Sequence, residues 1–243
     1  MAEETHSVKR AIIMAAGMGN RMHPLTFTTP KPMIKVNGSR MIDTIIDGLI
    51  ANGIEDINIV TGYLADKFEV LKDKYPNIKF INNPYYDKYN NISSLYAAKD
   101  LLDTDVIITD ADQIIYNNRI LAPGFTKSGY NATAVTAHTD EWVMSVKDGI
   151  VTSCSRNGGD EGWQLYSVSR WSREDALKLK EFLELEFDKN ERRDVYWDDI
   201  PMFLHADAFR LGIRVMNKED ILEIDSLEEL QEIDSSYLNI KGE

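Results

Sequence analysis

The unbroken apolar run Ala11-Ile-Ile-Met-Ala15, stopped by the glycines of Gly17-Met-Gly19, restricts the fold of this chain more than any other segment. Without polar alternation it suits a strand covered on both faces, as in a parallel sheet layered between helices. The stretch that follows places apolar residues at 41, 42, 45, 46, 49 and 50, a helical spacing closed by Asn52-Gly53. Residues 56–62 alternate and end in glycine, which predicts the next strand. Further helices are expected over 64–74, 92–102 and 172–187, and strands near 78–82, 105–109, 132–137 and 164–168. Strand and helix alternate through the front half, so the fold class is α/β: a Rossmann-like, mixed, mainly parallel sheet flanked by helices. Residues 8–240 read as a single domain, with 1–7 untethered. Residues 138–205 break the alternation and hold Trp142, Trp163, Trp171 and Trp197. They are expected to be an insertion covering one side of a site at the sheet's edge.

With 243 residues, 43% of them hydrophobic, the chain can bury a substantial core. No apolar run approaches the roughly 20 residues that span a bilayer, and residues 1–9 lack the apolar centre of a secretory signal. The expected location is therefore the cytoplasm. A single cysteine, Cys154, excludes an intramolecular disulfide framework and a thiolate-rich zinc site, and it reads as a packing residue. A net charge of -13 and a pI near 4.8 argue against nucleic-acid or anionic-membrane partners, leaving small charged metabolites. Composition leaves monomer and dimer equally open.

Against that acidic background, no Asp or Glu occurs between Glu4 and Asp43, whereas Lys9, Arg10, Arg21, Lys31, Lys35 and Arg40 all fall inside the interval. Such a basic island calls for an anionic ligand. Gly17 and Gly19 alone could merely permit a tight turn. Arg21 and Pro30-Lys31-Pro32 change the balance, because an arginine fork and a mobile lysine beside backbone N–H groups can share a triphosphate. The segment is not a Walker loop, since G-K-[ST] is missing, nor the dinucleotide fingerprint, since Met22 stands in place of the third glycine.

Residues 106–110 should deliver Asp110 and Asp112 to the same sheet edge as the glycine loop, and Glu223-Ile-Asp225 ends another short apolar run. A D-x-D at a strand end could equally form a turn, and the competing role for Asp225 is the N-cap of a helix beginning near Ser226. Hard oxygen ligands beside phosphate favour Mg2+.

The opening AIIMAAGMGNRMHPLTFTTPKPMIKVNG resembles that of the nucleotidyltransferase family that activates sugar phosphates and alcohol phosphates with nucleoside triphosphates. The resemblance continues through Val60-Thr-Gly-Tyr63, Tyr89-Asn-Asn-Ile-Ser-Ser-Leu95, Thr109-Asp-Ala-Asp112, Glu141-Trp142, Val195-Tyr-Trp-Asp-Asp199 and Glu223-Ile-Asp-Ser226. These later elements are most similar to bacterial choline-phosphate cytidylyltransferases. The resemblance implies Mg2+-dependent transfer of CMP from CTP to choline phosphate, with Arg21 and Lys31 as catalytic cations. It implies nucleotide contacts from Ala15, Ala16, Gly17, Gly19, Asn20, Gly62, Tyr63, Asn91, Ser94 and Asp110. Asp112 and Asp225 would be the metal ligands, and Asn90, Trp142, Tyr196 and Asp194 would bind the acceptor. Phosphoethanolamine and 2-aminoethylphosphonate are alternative acceptors. A sugar 1-phosphate is disfavoured because no E-K-P element occurs, and a non-catalytic nucleotide-sensing module is the alternative of another class.

Overall fold

The computed structural model describes residues 5–242. Its front half runs β1 (Arg10–Ala15), α1 (Met41–Ala51), β2 (Asp56–Thr61), β3 (Lys79–Asn82), α2 (Ile92–Ala97) and β4 (Val106–Asp110). Strand β1 lies at the centre, parallel to β2 on one side and β4 on the other, with β3 parallel beyond β2. The chain thus winds outward from β1 and then crosses to its other side at β4. The crevice beyond the carboxyl ends of β1 and β4 is therefore a topological switch point, where ligands bind in open α/β sheets.

Alternation along β1 explains its apolar run. Ala11, Ile13 and Ala15 face a cluster with Ile42, Ile45, Ile46 and Leu49 of α1, whereas Ile12 and Met14 face Leu95, Trp171 and Trp197 on the other side. Both faces are covered, as the absence of polar alternation requires.

The back half runs β5 (Gln113–Ile115), β6 (Gly129–Ala134), β7 (Val143–Lys147), β8 (Ile150–Ser155), β9 (Trp163–Trp171), α3 (Arg173–Glu184), β10 (Gly212–Val215), β11 (Ile221–Glu223) and α4 (Leu227–Ile233). Strand β9 pairs antiparallel with β4, β6 and β7, and β10 runs parallel to β6. The parallel centre of the sheet is thereby extended by an antiparallel flank.

Several expectations need correction. The stretch 138–205 is not an insertion throughout: β9 belongs to the main sheet, and Trp171 and Trp197 are core residues 0% and 2% exposed. The hairpin of β7 and β8 likewise joins the main sheet, Val143 and Met144 of β7 pairing with Gln164 and Trp163 of β9. The break in periodicity marked the change from parallel to antiparallel pairing rather than a boundary. At the amino terminus, His6 and Ser7 are tethered, pairing antiparallel with Phe125 and Gly124, while residues 1–4 lie outside the described residues. The segment expected as a helix over 64–74 forms a 3-10 helix at Ala65–Asp73, and the next one splits into α2 and a 3-10 turn at Lys99–Leu101. Among the described residues, no helix is long and apolar enough to cross a membrane.

A third apolar cluster matters most for the site. Met22 of the glycine loop, fully buried, packs with Met41, Ile114, Ile224, Leu227 and Leu230. Side chains from both ends of the chain are thereby fixed beside β5. Met22→Ala is expected to lower stability by about 2–5 kcal/mol, the range for emptying a buried methionine site, and urea unfolding monitored by tryptophan fluorescence would measure it.

Candidate active site

The glycine loop leaves β1 in a conformation that sequence dictates. Gly19 adopts φ 63°, and a Cβ there would sit 3.0 Å from Lys31 Cβ and 3.1 Å from Thr26 Cγ2, so only glycine lets the two turns close on each other. Thr26 Oγ1 donates to the Gly19 carbonyl at 2.9 Å, and the Tyr63 hydroxyl donates to the Thr26 carbonyl at 2.8 Å. These bonds hold the loop and place Lys31, 8% exposed, underneath it.

The acids arrive from two directions. Asp110 ends β4 beside Met14 of β1, and Asp112 follows in the turn into β5. Strand β11 pairs antiparallel with β5, Glu223 opposite Gln113, and the Ile224 N–H donates to the Asp112 carbonyl at 3.2 Å. That pairing, with the Met22 cluster behind it, carries Asp225 across from Asp112. Lys31 Nζ lies 2.8 Å from Asp112 Oδ2 and 2.8 Å from Asp225 Oδ1, and Arg21 Nη2 lies 2.9 Å from Asp225 Oδ1.

Charge is tightly coupled here. Burial would depress the Lys31 ammonium, but Asp112 and Asp225 outweigh it and hold its pKa above the ordinary value. Burial would raise Asp225, yet Lys31 and Arg21 hold it below the usual carboxylate range. Glu223 goes well up, through burial and the charges of Asp112 and Asp225, and Asp110 goes well up through burial, Asp112 and Asp198.

One carboxylate oxygen of each of Asp112, Glu223 and Asp225 lies within 4.8 Å of the others. Asp112 Oδ1 is buried without a hydrogen-bond partner among the described residues. A buried orphan oxygen in an all-carboxylate donor set fits a hard divalent cation, and Mg2+ suits such ligands beside phosphate.

Around this centre the crevice has two lobes. The first, about 440 Å³, lies between the glycine loop and Asn91, Ser94, Asp110, Asp112 and Asp225. The second, about 380 Å³, shares Arg21, Asn91, Asp110, Asp112 and Asp225 and adds Glu141, Trp142, Ser167, Tyr196, Asp198 and Glu223. Asn91 ties the lobes together, its Oδ1 accepting from the Trp197 N–H at 2.9 Å. At the far end, the Trp142 and Tyr196 rings meet at 5.8 Å and 88°. The guanidinium of Arg156 lies 3.6 Å over the Phe203 ring, and its Nε donates to Asp199 Oδ1 at 2.9 Å while Asp199 Oδ2 accepts from the Tyr196 N–H.

Residues 10–141 match the nucleotidyl transferase family. The chain is 37% identical to the 2-aminoethylphosphonate cytidylyltransferase of Lancefieldella rimae, over 98% of this chain and 95% of that one. It is 32% identical to the choline-phosphate cytidylyltransferase of Streptococcus pneumoniae, over 95% and 99% of the two chains. The solved CTP:phosphocholine cytidylyltransferase of S. pneumoniae superposes with a TM-score of 0.84 at 31% identity, covering 95% of this chain and 99% of that one. The chain belongs to the nucleotidyl transferase family.

Most residues singled out in the sequence of this nucleotidyltransferase meet in the crevice. Ala15, Ala16, Gly17, Gly19, Asn20, Arg21, Lys31, Asn91, Ser94, Asp110, Asp112 and Asp225 line the first lobe, and Trp142 and Tyr196 line the second. The structure does not bring Gly62, Tyr63, Asn90 or Asp194 to the lining. Gly62 gives way to the Tyr86 ring, since a Cβ there would fall 2.6 Å from Tyr86 Cβ. Tyr63 braces the glycine loop, as above. The Asn90 Oδ1 accepts from the Asn91 N–H at 2.7 Å, and its amide points at the Asp194 carbonyl, 3.5 Å away. Asp194 itself is exposed. These residues shape the site without facing its interior.

Conversely, Ser167, Asp198 and Glu223 line the second lobe without having been chosen from sequence. Glu223 had a signal, since residues two apart on extended chain share a side and Asp225 was already a candidate. Asp198 lies within the Val195–Asp199 element of the resemblance without having been singled out: it is buried by tertiary packing, with the Tyr130 hydroxyl donating to its Oδ1 at 2.8 Å. Burial pushes Asp198 up to about 7, against that hydrogen bond.

A stability effect follows. The unfolded chain releases this proton near about pH 4, and the folded protein keeps it until about 7. The folded state binds more protons between those values, so this carboxyl makes stability fall as pH rises across that window. Asp198→Asn should remove its share, and urea midpoints of variant and parent should diverge in the variant's favour from about pH 4.5 to about pH 7.5. A difference independent of pH would show that Asp198 is ionised throughout.

Proposed function

We propose that the protein transfers CMP from CTP to a small acceptor bearing a phosphate or phosphonate at one end and an ammonium at the other. The reading is carried by Lys31 bridging Asp112 and Asp225 at the junction of the two lobes. An oxygen of the acceptor's phosphoryl group attacks the α-phosphorus in line, forming the new P–O bond as the bond to the bridging oxygen of pyrophosphate breaks. The attacking oxygen is already ionised at neutral pH, so no protein nucleophile or base is needed, and positioning and charge neutralisation supply the catalysis. Arg21, side chain 70% exposed at the mouth of the glycine loop, suits the β and γ phosphates and steadies the leaving pyrophosphate. Lys31 suits the α-phosphate or the incoming phosphoryl group. Asp112 and Asp225, with Glu223 beside them, would hold Mg2+, which supplies further neutralisation of phosphate oxygens.

For the acceptor we favour 2-aminoethylphosphonate. Glu141, Asp198 and Glu223 line the second lobe, and a primary ammonium can donate N–H hydrogen bonds to carboxyl oxygens whereas a quaternary one cannot. The likeness to the L. rimae enzyme supports the same choice. Choline phosphate is the second reading, favoured by the perpendicular Trp142 and Tyr196 rings, whose faces suit a quaternary ammonium. Pyrophosphate release from CTP with 2-aminoethylphosphonate, phosphoethanolamine, choline phosphate and glucose 1-phosphate, each with and without Mg2+, tests both. The highest kcat/KM is expected for the phosphonate. With the primary-ammonium acceptor, Trp142→Ala should raise KM less than tenfold, whereas a choline-selective site should lose on the order of tenfold or more. Nucleotide binding without release for any acceptor would instead indicate a nucleotide-sensing module.

A further inference from the structure

At the opposite end of β9 from the acceptor lobe lies a second cavity, of about 410 Å³, whose lining includes Lys127, Arg170 and Arg214 and no acidic side chain among the described residues. Much of its wall is bare backbone. Gly129 of β6 faces Gly212 of β10 in register, and a Cβ on Gly129 would fall 1.9 Å from the Gly212 carbonyl oxygen, so this wall can carry no side chain.

Arg170 is the unusual element. It is 2% exposed and has no carboxylate partner among the described residues. Its guanidinium donates to the carbonyls of Ala122 and Ile120 and to Asn131 Oδ1, at 2.9, 2.6 and 2.9 Å. Three of an arginine's five N–H donors are thus used on neutral oxygens, and two are left. Arg214, half-buried beside it, donates to the carbonyls of Ala122 and Gly124, again without an acid. Burial and the charge of Arg214 pull Arg170 down to about 9, and burial pulls Arg214 down as well. A buried cation is ordinarily compensated by an anion, and in a chain of net charge -13 acids are plentiful. None of those described lines this cavity.

We propose that this cavity is a binding site for a small phosphate-bearing anion, separate from the reaction crevice, with Arg170 and Arg214 as its anchors. Guanidinium forks match the oxygen spacing of a phosphoryl group, and Gly124 and Gly149 of the lining face open space where a side chain would otherwise stand. Free phosphate, pyrophosphate and a phosphomonoester share the chemistry that would be recognised. The two sites lie on one strand: Leu165 and Ser167 line the acceptor lobe and Arg170 lines this cavity, three residues beyond Ser167 and hence roughly 10 Å along β9 at about 3.3 Å per residue.

The test separates this cavity from the reaction crevice, which also binds phosphates. Inorganic phosphate and pyrophosphate are titrated by calorimetry, against chloride at matched ionic strength, into the whole protein and three variants. The Arg21→Ala, Lys31→Ala double variant should retain one phosphate site per chain. Arg214→Gln added to that background should weaken it at least tenfold, while Arg214→Gln alone leaves turnover with CTP unchanged. Arg170→Met should abolish the site, and because this buried substitution can also unfold the chain, the half-exposed Arg214 decides the outcome. Loss of all phosphate binding in the double variant, or equal binding with and without Arg214, would overturn the proposal and leave Arg170 as a brace for the 120–122 segment.

Discussion

Lys31→Ala is expected to lower turnover on the order of a hundredfold or more, by analogy with deleting one donor that stabilises transition-state charge. The geometry makes the case stronger than analogy. Lys31 is nearly buried and held 2.8 Å from each of Asp112 and Asp225, so it is positioned before any substrate enters. Its charge is shared between two carboxylates. With those carboxylates holding a cation, the ammonium would be available to donate to a phosphate oxygen, in a lobe where burial strengthens the interaction. The loss should therefore fall on kcat more than on KM for CTP, whose outer phosphates suit Arg21. Lys31→Arg should rescue little, because a planar fork cannot replace a compact ammonium between Asp112 and Asp225 on a stem packed against Gly19. Steady-state kinetics at saturating Mg2+ measures this, and near-normal turnover would remove Lys31 from the mechanism. Because the substitution leaves Asp112 and Asp225 facing each other with only Arg21 beside Asp225, thermal melts with and without Mg2+ distinguish a catalytic loss from an unfolded one.

How much of this was legible in the sequence differs by residue, for physical reasons. The positions of β1 and α1 could be read because periodicity is local: burial on both faces erases alternation, and one-sided burial writes a helical spacing. The glycine loop, Arg21 and Lys31 could be read because a short basic stretch in an acidic chain is a local fact as well. Asp112 and Asp225, 113 positions apart, were named through a motif, and nothing local says that they meet. Their meeting depends on β5 pairing with β11 and on the Met22 cluster, both long-range. Gly62, Tyr63, Asn90 and Asp194 lie off the lining of the two lobes, and a motif marks what the architecture needs: Tyr63, which braces the glycine loop, is needed as much as a residue that touches a ligand. Arg170 was invisible for the opposite reason: it lies beyond the strand expected near 164–168, and only the long-range pairing of β9 with β4 and β6 buries it. Side-chain chemistry near one point of the chain is written locally, whereas compensation of charge is decided by the fold.

The second large effect is expected at Asp225. Asp225→Asn keeps the shape and the capping arrangement of Ser226 with Glu229, which closes α4 independently of the Asp225 carboxylate. It removes the negative charge shared by Lys31, Arg21 and the proposed Mg2+. The carboxylate is held ionised by the two cations, so the wild-type charge is present throughout the neutral range and its loss is complete. Removing a ligand from a cation that neutralises phosphate should cost several kcal/mol of transition-state stabilisation, about a thousandfold in turnover at fixed Mg2+. The apparent affinity for Mg2+ should fall with it, so raising Mg2+ recovers part of the rate. That partial recovery is the discriminating reading, because a merely structural role for Asp225 would lower stability without moving the Mg2+ dependence; the helix cap itself is Ser226. Titrating Mg2+ in the pyrophosphate-release assay, with Asp112→Asn alongside, measures it: both variants should shift the Mg2+ midpoint upward. Lys31 adds a further sign. With Asp225 neutral its ammonium keeps only Asp112 as a counter-charge and should titrate at lower pH than in the parent, so the alkaline limb of the rate profile should move down in Asp225→Asn. An unchanged Mg2+ midpoint together with an unchanged alkaline limb would place Asp225 outside the reacting centre.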